Sequence, residues 1–231
     1  MSRTVLITGG AKGIGFAIAE EFIKDHNVAI VWNTEPPKDN LSGAHLIQAD
    51  LTKAGSCNAV IEDLMTHFGR LDVIVNNAGL VRATPIGDFS ADAHRAILDV
   101  NLLVPCDLLN AAMPHLKSGA SIVNISSINA TMPPKAAAIY GASKAALNLW
   151  TKAMAKELGP LGVRVNAVAP GAIAVSHRPR SSELTELFVK DTALGRPGQP
   201  DDIAPVVRFL SSDAAKFITG EILTVSGGYR L

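Results

Sequence analysis

The feature that most constrains this chain is a regular alternation of short apolar runs with longer helix-like stretches. Candidate strands lie at residues 3–8, 28–33, 45–50, 72–77, 120–126, 163–169 and 222–225. Candidate helices lie near residues 14–25, 53–68, 91–116, 139–158, 181–190 and 201–211. Because the strands are almost continuously apolar, as in strands covered on both faces, and because they alternate with helices, we expect an α/β fold with a parallel, doubly wound sheet.

Composition excludes several classes of protein. The chain has 231 residues, 48% of them apolar, which suits one globular domain spanning residues 1–231. Its 21 basic and 21 acidic residues balance, and no basic run favours nucleic acid as a partner. No apolar run approaches membrane-spanning length, and the apolar start of the chain continues straight into a glycine-rich turn, unlike a cleaved signal peptide.

The cysteines and histidines indicate neither a disulfide framework nor a metal site. Cys57 and Cys106 lack the spacing of a disulfide pair or a ligand set, and the six histidines are scattered. The two thiols are typical of small buried residues in a reducing compartment. We therefore expect a cytoplasmic protein that binds no metal, no nucleic acid and no membrane.

Two segments depart from the alternation. Residues 34–44 are about long enough for a crossover, but their prolines and turn residues favour a loop over a helix. Residues 172–195 are long and turn-rich, which is typical of a substrate lid, with an ordinary surface excursion as the alternative. Within this lid, His177, Arg178 and Arg180 could meet an anionic carrier or carboxylate, or they could be solvated loop charges.

The first strand runs into the glycine-rich sequence 8-TGGAKGIG-15, which an amphipathic helical pattern follows. Glycines let the backbone turn sharply and approach a ligand, and a helix N-terminus offers N–H groups and a positive dipole end to phosphate. The spacing of Gly9, Gly13 and Gly15 differs from G-x-G-x-x-G, so a plain tight turn is the alternative. The position between a strand and a helix favours the phosphate site.

A second polar motif, 76-NNAG-79, ends the fourth candidate strand. Ligands of open parallel sheets bind outside the carboxyl ends of the strands, where the strand order reverses. With the strand order 3-2-1-4-5-6-7, the first and fourth strands flank that crevice, so the glycine turn and this motif would face each other. Asp50 ends the third strand on the same rim, although a helix cap for residues 53–68 is an alternative role.

Tyr140 and Lys144 are four residues apart in a helical stretch of small residues. Residues at i and i+4 share a helix face, so the ammonium can favour the phenolate. A cation about 4 Å away, at an effective dielectric of about 20, supplies about 4 kcal/mol, which is roughly what lowers a phenol pKa from about 10 to neutrality. Ser127 ends a strand and could hold a substrate oxygen, and Asn101 is a polar residue in an apolar helix that needs a partner.

Together these motifs resemble those of the short-chain dehydrogenase/reductase family in order and spacing, over nearly the whole chain. The motifs that carry the resemblance are Thr8–Gly15, Asp50, Asn76–Gly79, Asn101, Ser127, Tyr140 with Lys144, Pro170–Gly171 and 218-ITGEILTVSGG-228. The resemblance implies a single Rossmann-type domain that binds a nicotinamide dinucleotide and interconverts a carbonyl and a secondary alcohol by hydride transfer. It also implies a homotetramer or homodimer, joined through the helices at 91–116 and 139–158 and the C-terminal strand.

The resemblance also implies a role for each motif. Tyr140 would be the general acid/base, and Lys144 would bind the nicotinamide ribose and lower the tyrosine pKa. Ser127 would orient the substrate oxygen, in preference to Ser126, and Asn101 would hold a water in a proton relay. The implied cofactor-binding residues are Thr8, Gly9, Lys12, Gly13, Ile14, Gly15, Trp32, Asn33, Asp50, Leu51, Asn76, Asn77, Ala78, Gly79, Tyr140, Lys144, Pro170, Gly171 and Ile173.

One departure from the family pattern concerns cofactor orientation. Val175 stands where many members have a threonine that bonds the carboxamide, although Ser176 or a backbone group could substitute. The helix usual between strands two and three also looks absent here. Neither departure touches the proton-transfer group.

The choice between NAD(H) and NADP(H) depends on the end of the second strand. That strand ends in Trp32 and Asn33, without the acidic residue that binds the ribose 2′-OH of NAD. Glu35 follows within the proline turn, and Lys12 in the glycine turn could attract a 2′-phosphate. We favour NADP(H) and keep NAD(H) as the alternative.

Two other functions remain open. A 3-oxoacyl-thioester (acyl-carrier-protein) reductase is the rival within the same class of enzyme. A non-catalytic dinucleotide-sensing protein is the rival from another class, although such a protein would have little reason to keep Asn101, Ser127, Tyr140 and Lys144 together.

Overall fold

A parallel sheet forms the centre of the molecule. In the residues that the computed structural model describes, 2–37, 41–87, 90–177 and 179–230, seven strands lie in the order β3-β2-β1-β4-β5-β6-β7. The strands are β1 (Thr4–Thr8), β2 (Asn27–Trp32), β3 (Ala44–Gln48), β4 (Val73–Asn76), β5 (Ser121–Ile125), β6 (Arg164–Pro170) and β7 (Ile222–Val225). All neighbouring pairs are parallel. The doubly wound fold and the strand order are therefore confirmed, with each predicted strand within two residues of its expected bounds.

Helices cover both faces of the sheet. They are α1 (Gly13–Phe22), α2 (Ser56–Phe68), α3 (Ala91–Leu98), α4 (Val104–Ala112), α5 (Ala138–Leu158), α6 (Ser182–Lys190) and α7 (Pro200–Ser211). A π-helical turn, Asp99–Leu103, joins α3 to α4, and 3₁₀ turns lie at Met113–His115, Ile128–Ala130, Gly159–Leu161 and Asp213–Ala215. The predicted helix at 91–116 is thus one helical stretch that contains a π turn. Pro105 follows this turn and has no N–H to donate to the carbonyl of Asn101, four residues earlier.

Successive residues of the central strand supply two separate cores. Leu6 packs on one face with Leu108 of α4, and Ile7 packs on the other with Phe22 of α1 and Val207 of α7. All of these side chains are almost fully buried. The continuous apolar runs of the sequence are explained by this coverage of both faces.

The helical stretch Ala91–His115 is 25 residues long with a mean hydropathy of 1.4 in its most apolar part, so by length and composition alone it could cross a membrane. Its uninterrupted apolar runs are shorter than the whole stretch, because Asp99, Asn101 and Asp107 separate its apolar residues. The stretch packs against α2 and α5, and Ile97 is fully buried there. Its apolar composition therefore serves the core of the fold.

The two irregular segments have the structures that their residues suggest. The β2–β3 connection carries no helix in its described residues, 33–37 and 41–43. The segment at 172–195 contains α6 and is fixed at both sides by isolated bridges, Ile173 to Gly198 and Thr192 to Tyr229. Its use as a substrate lid stays a prediction.

Candidate active site

The glycine turn after β1 allows very close backbone packing. Gly9 and Gly13 have φ angles of 64° and 59°, in the region that favours glycine. A methyl group added to Gly9 would lie 2.9 Å from Ala78 Cα, and one added to Gly15 would lie 2.4 Å from Gly9 O. Helix α1 starts at Gly13, and neither a side-chain cap from Lys12 nor an acidic residue occupies its first turn. The first N–H groups of this helix are therefore suited to bind an anion.

Thr8 and Asn77 tie the ends of β1 and β4 together. Thr8 Oγ1 accepts hydrogen bonds from the main-chain N–H of Asn77 at 3.1 Å and of Ala78 at 3.0 Å. Asn77 Nδ2 donates to the carbonyl oxygens of Thr8 at 3.0 Å and Gly9 at 2.9 Å. Since β1 pairs with β2 on one side and β4 on the other, these contacts lie where the strand order reverses.

The side chain of Asn76 bonds to a different part of the molecule from that of Asn77. Its side chain is buried, and its Nδ2 donates to Oδ1 of Asn124 at 2.8 Å. Asn124 in turn donates to Thr151 Oγ1 at 2.8 Å on α5. Asn76 therefore links the sheet to α5, and its role in binding the cofactor, which the family resemblance implies, stays a prediction.

A cleft of about 400 Å³ opens beside the glycine turn. The predicted cofactor residues that line it are Gly9, Lys12, Trp32, Asn33, Asp50, Leu51, Ala78 and Gly79. Asp50 accepts hydrogen bonds from Thr52 Oγ1 at 2.7 Å and Thr52 N at 3.1 Å, and these bonds hold the pKa of the Asp50 carboxyl below its usual value. Because α2 begins only at Ser56, Asp50 does not cap that helix.

An ion pair stands at the mouth of this cleft. Lys12 Nζ lies 3.7 Å from Glu35 Oε2, and both side chains are more than half exposed. Both residues also line the cleft. A positive and a negative side chain are thus both available at the end of β2, where proteins of this fold distinguish the ribose 2′-OH of NAD from the 2′-phosphate of NADP.

Asn101 lies within the π turn and is almost fully buried. Its Oδ1 accepts from Leu80 N at 2.8 Å, and its Nδ2 donates to Leu80 O at 3.0 Å and to Ser143 Oγ at 3.0 Å. The side chain is the partner of both main-chain groups of Leu80, which directly follows the 76–79 motif. The expected partner of this mid-helix asparagine is therefore a loop backbone, together with a serine of α5.

Tyr140 and Lys144 lie one turn apart on α5, and both are buried. Lys144 Nζ donates to the carbonyl oxygen of Ile125 at 2.8 Å. A methyl group on Gly79 would lie 3.8 Å from the same nitrogen, Lys144 Nζ. Burial lowers the pKa of Lys144 to about 8. The ammonium is thus next to the motif that borders the cleft, and it remains mostly protonated at pH 7.

The two serines after β5 have different partners. Ser126 Oγ donates to Oδ1 of Asn148 on α5 at 2.5 Å. Ser127 Oγ accepts from Asn129 N at 3.1 Å, so the proton of its hydroxyl is not used in that bond. This difference supports Ser127 over Ser126 as the group for a substrate oxygen.

The segment after β6 is held against the C-terminal strand and the lid. Gly171 N donates to Val225 O at 2.9 Å, and a methyl group on Gly171 would lie 2.8 Å from Ser226 Cα. Ile173 is buried, and its carbonyl accepts from Arg180 Nη1 at 2.7 Å. Arg180 is therefore engaged within the lid, and Arg178 lies outside the described residues.

The cleft, the uncapped start of α1 and the lysine beside Gly79 fit a dinucleotide, with its diphosphate at the helix and a ribose near the lysine. A family model described as enoyl-(acyl carrier protein) reductase (adh_short_C2) matches residues 9–230. An uncharacterized oxidoreductase of Methylorubrum extorquens is 38% identical over 99% of this chain and 98% of its own length. A short-chain dehydrogenase of Burkholderia cenocepacia, solved in complex with NADP, has a TM-score of 0.92 and 33% identity over 99% of this chain and 98% of its own.

This chain belongs to the short-chain dehydrogenase/reductase family. It is an enzyme, an oxidoreductase that interconverts a carbonyl and an alcohol with a nicotinamide cofactor. The 3-oxoacyl-[acyl-carrier-protein] reductase of Staphylococcus aureus is also similar, at 36% identity over 99% of this chain and 98% of its own length. A non-catalytic sensor is therefore no longer a competing interpretation.

In this short-chain dehydrogenase some of the predicted cofactor residues line the cleft, and others lie beside it without lining it. Gly13, Ile14 and Gly15 belong to the turn and Asn77 bonds it from the end of β4, and none of the four lines the cleft. Residues that the motif reasoning missed also line it: Ala11, Val31, Thr34, Ala49, Thr52, Leu80, Val100 and Val104. Val100 and Val104 are four residues apart, so the only sequence signal was a shared face of a helical stretch.

Proposed function

We propose that this short-chain dehydrogenase uses NADP(H) to reduce a ketone to a secondary alcohol, or to run the reverse reaction, with Tyr140 as the proton donor and acceptor. The observation that carries the proposal is the burial of Tyr140 and Lys144 on one face of α5, with Lys144 beside Gly79 at the cleft. A bound nicotinamide supplies or accepts the hydride.

Lys144 makes the phenol of Tyr140 usable near neutral pH. A free phenol has a pKa of about 10, and a cation one helical turn away favours its ionised form. Burial lowers the pKa of Lys144 to about 8, so the side chain is still mainly a cation at pH 7. We propose that its remaining N–H groups bind the nicotinamide ribose, since one is used by Ile125 O.

Ser127 would hold the substrate oxygen within reach of Tyr140. Its hydroxyl proton is free to be donated, because the bond that it makes to Asn129 N uses Ser127 as the acceptor. We assign no substrate role to Ser126, whose hydroxyl is committed to Asn148.

Asn101 would join a proton relay through its main-chain carbonyl. Its side-chain amide is fully engaged with Leu80 and Ser143. Pro105 cannot supply the α-helical donor to that carbonyl, and we propose that a water donates to it instead. π turns inside helices are frequent at functional sites.

NADP(H) is the proposed cofactor because Lys12 stands at the mouth of the cleft and the end of β2 lacks an acidic residue. The Burkholderia relative, solved with NADP, supports the same choice. Glu35 favours NAD(H), and its pairing with Lys12 balances part of that charge.

A 3-oxoacyl thioester is the second candidate substrate, favoured by the identity to the Staphylococcus aureus reductase. Its carrier would be anionic. Arg180 is less suited to meet it than the sequence pattern suggests, because its guanidinium bonds Ile173 O and lies 5.4 Å from the centre of the Phe188 ring.

We also propose that the chain is a single domain and acts in the cytoplasm as a homotetramer or homodimer. Cys57 and Cys106 are both free thiols, which is typical of a reducing compartment. Exposed Leu103 and Leu149 lie on the helical segments that the family resemblance assigns to the subunit interface. Light scattering during size-exclusion chromatography would separate these states from a monomer.

The test of the proposed activity is a substrate screen that follows NADPH absorbance. Simple ketones, polyols with NADP, and an acetoacetyl thioester form the panel, and each is repeated with NADH or NAD. We expect turnover of at least one ketone or alcohol, with a higher kcat/KM for NADP(H). Activity confined to the thioester would select the second candidate, and no turnover of any member would contradict the proposal.

A further inference from the structure

The start of the lid, residues 175–177, packs on the phosphate-binding turn. A methyl group added to Gly13 would lie 2.8 Å from Cε1 and 3.5 Å from Nδ1 of His177, and 3.5 Å from Cγ1 of Val175. Two carbons cannot approach to 2.8 Å without one moving, so glycine is what leaves room for this ring. The imidazole of His177 therefore stands over the first residue of α1.

An anion held by α1 would occupy the same neighbourhood. The first-turn N–H groups and the positive end of the helix dipole attract phosphate. Lys12 precedes Gly13 and adds a positive charge, which Glu35 partly balances at 3.7 Å. The imidazole of His177 contains polar ring nitrogens and stands over the first residue of this helix, within the neighbourhood of an anion bound there.

Two residues of the lid that flank His177 in the chain are anchored. Arg180 Nη1 donates to Ile173 O at 2.7 Å. Both residues are fixed further by the bridge between Ile173 and Gly198, and by the contact of Arg180 with the ring of Phe188. His177 lies between these two anchored residues, and its side chain is exposed.

We infer that His177 donates a hydrogen bond to the diphosphate of the bound dinucleotide and closes the phosphate site from the lid side. The inference rests on the proposed function, because it requires a dinucleotide on the glycine turn. The sequence pattern also allows His177 to meet an anionic carrier, but its position over Gly13 puts it beside the cofactor instead. His177 is thus a binding residue for the cofactor that the glycine motif does not reveal.

The experiment measures the binding of three ligands by titration calorimetry at pH 7. NADPH and 2′-phospho-ADP-ribose both contain the diphosphate, and adenosine 2′-monophosphate lacks it. His177→Leu keeps the bulk of the side chain without an N–H, and His177→Gln keeps an N–H donor. Glu183→Ala, at an exposed position of the same lid, is the matched control.

We expect His177→Leu to weaken both diphosphate ligands about tenfold and the monophosphate less than about twofold. His177→Gln should lose about threefold or less, and the control should bind all three like the wild type. The inference is overturned if the leucine variant binds the diphosphate ligands normally, or if it weakens all three ligands equally. If the wild type binds NADH instead of NADPH, only the cofactor choice is wrong. NADH and ADP-ribose, which contain the diphosphate, are then compared with adenosine, which lacks it. A wild type that binds neither coenzyme contradicts the proposed function and this inference together.

Discussion

The ammonium group of Lys144 donates a hydrogen bond to the carbonyl oxygen of Ile125, at 2.8 Å, inside the protein. The bond joins α5 to the end of β5 and satisfies one of three N–H groups. Burial of the cation lowers its pKa to about 8, from 10.5. Burial of this charge is unfavourable for the fold at neutral pH, which gives a measurable consequence.

Lys144→Met is expected to abolish turnover and to remove the cost of burying a charge, about 1–3 kcal/mol at pH 7, while the loss of the donor to Ile125 O costs about 1–3 kcal/mol at every pH. The pKa is lower in the folded state, so the unfolded chain binds more protons between about pH 8 and 10.5. The cost of Lys144 is fully present below that window and disappears as the pH rises through it. Urea denaturation at pH 7 and pH 9.5 should show the free energy of unfolding of the wild type rising relative to that of the variant. A variant that is less stable at pH 7, with no dependence on pH, would contradict this account.

Tyr140→Phe should lower kcat by a factor of about 10² to 10⁴, because the proton of the substrate oxygen then has no positioned donor or acceptor. The dissociation constant of NADPH should change less than about threefold. Tyr229→Phe is the matched control, since Tyr229 is the only other tyrosine and its ring packs on Phe188 in the C-terminal segment. Stopped-flow hydride transfer and fluorescence titration measure the two effects. Equal turnover in the two variants would end the assignment of Tyr140.

Asn101→Ala should destabilise the protein by about 2–4 kcal/mol, because it leaves the main-chain N–H and C=O of Leu80 without partners. The kcat should fall at least about tenfold, since Leu80 adjoins the cofactor motif. Asn110→Ala, at an exposed position of α4, provides the comparison and should change neither value. Unchanged stability of the Asn101 variant in urea denaturation would show that the hydrogen bonds to Leu80 do not hold this loop.

Lys12→Ala should reduce kcat/KM for NADPH about tenfold and leave the value for NADH within about twofold, because a 2′-phosphate loses a cation at the mouth of the cleft. Glu35→Gln should act in the opposite direction, since it removes the carboxylate that pairs with Lys12. Lys24→Ala serves as the control, because Lys24 pairs with Glu21 on α1, away from the cleft. Initial rates with both coenzymes measure the preference. A parallel loss for NADPH and NADH in the Lys12 variant would exclude this role.

The sequence placed a motif residue well when its partner is near in the chain, and less well when its partner is distant. Tyr140 and Lys144 were recognisable because their spacing of four residues has a local meaning on any helix. Asp50 was placed on the rim of the cleft because it directly follows a strand, and its hydrogen bonds to Thr52 exclude the alternative role of a helix cap. Asn76 looked like its neighbour Asn77, yet the alternation along β4 turns its side chain into the core, towards Asn124.

The sequence by itself determined the fold class and the family, because apolar periodicity, glycine turns and i, i+4 spacing act within a few residues of one another. Only the tertiary structure decided which groups meet across the chain. Asn101 finds Leu80 and Ser143, 21 and 42 residues away, and Lys144 finds Ile125. Lys12 meets Glu35 at the cleft, and His177 meets Gly13 on the phosphate turn. Such contacts depend on how separate strands and loops pack, and a local pattern of residues contains no information on that packing.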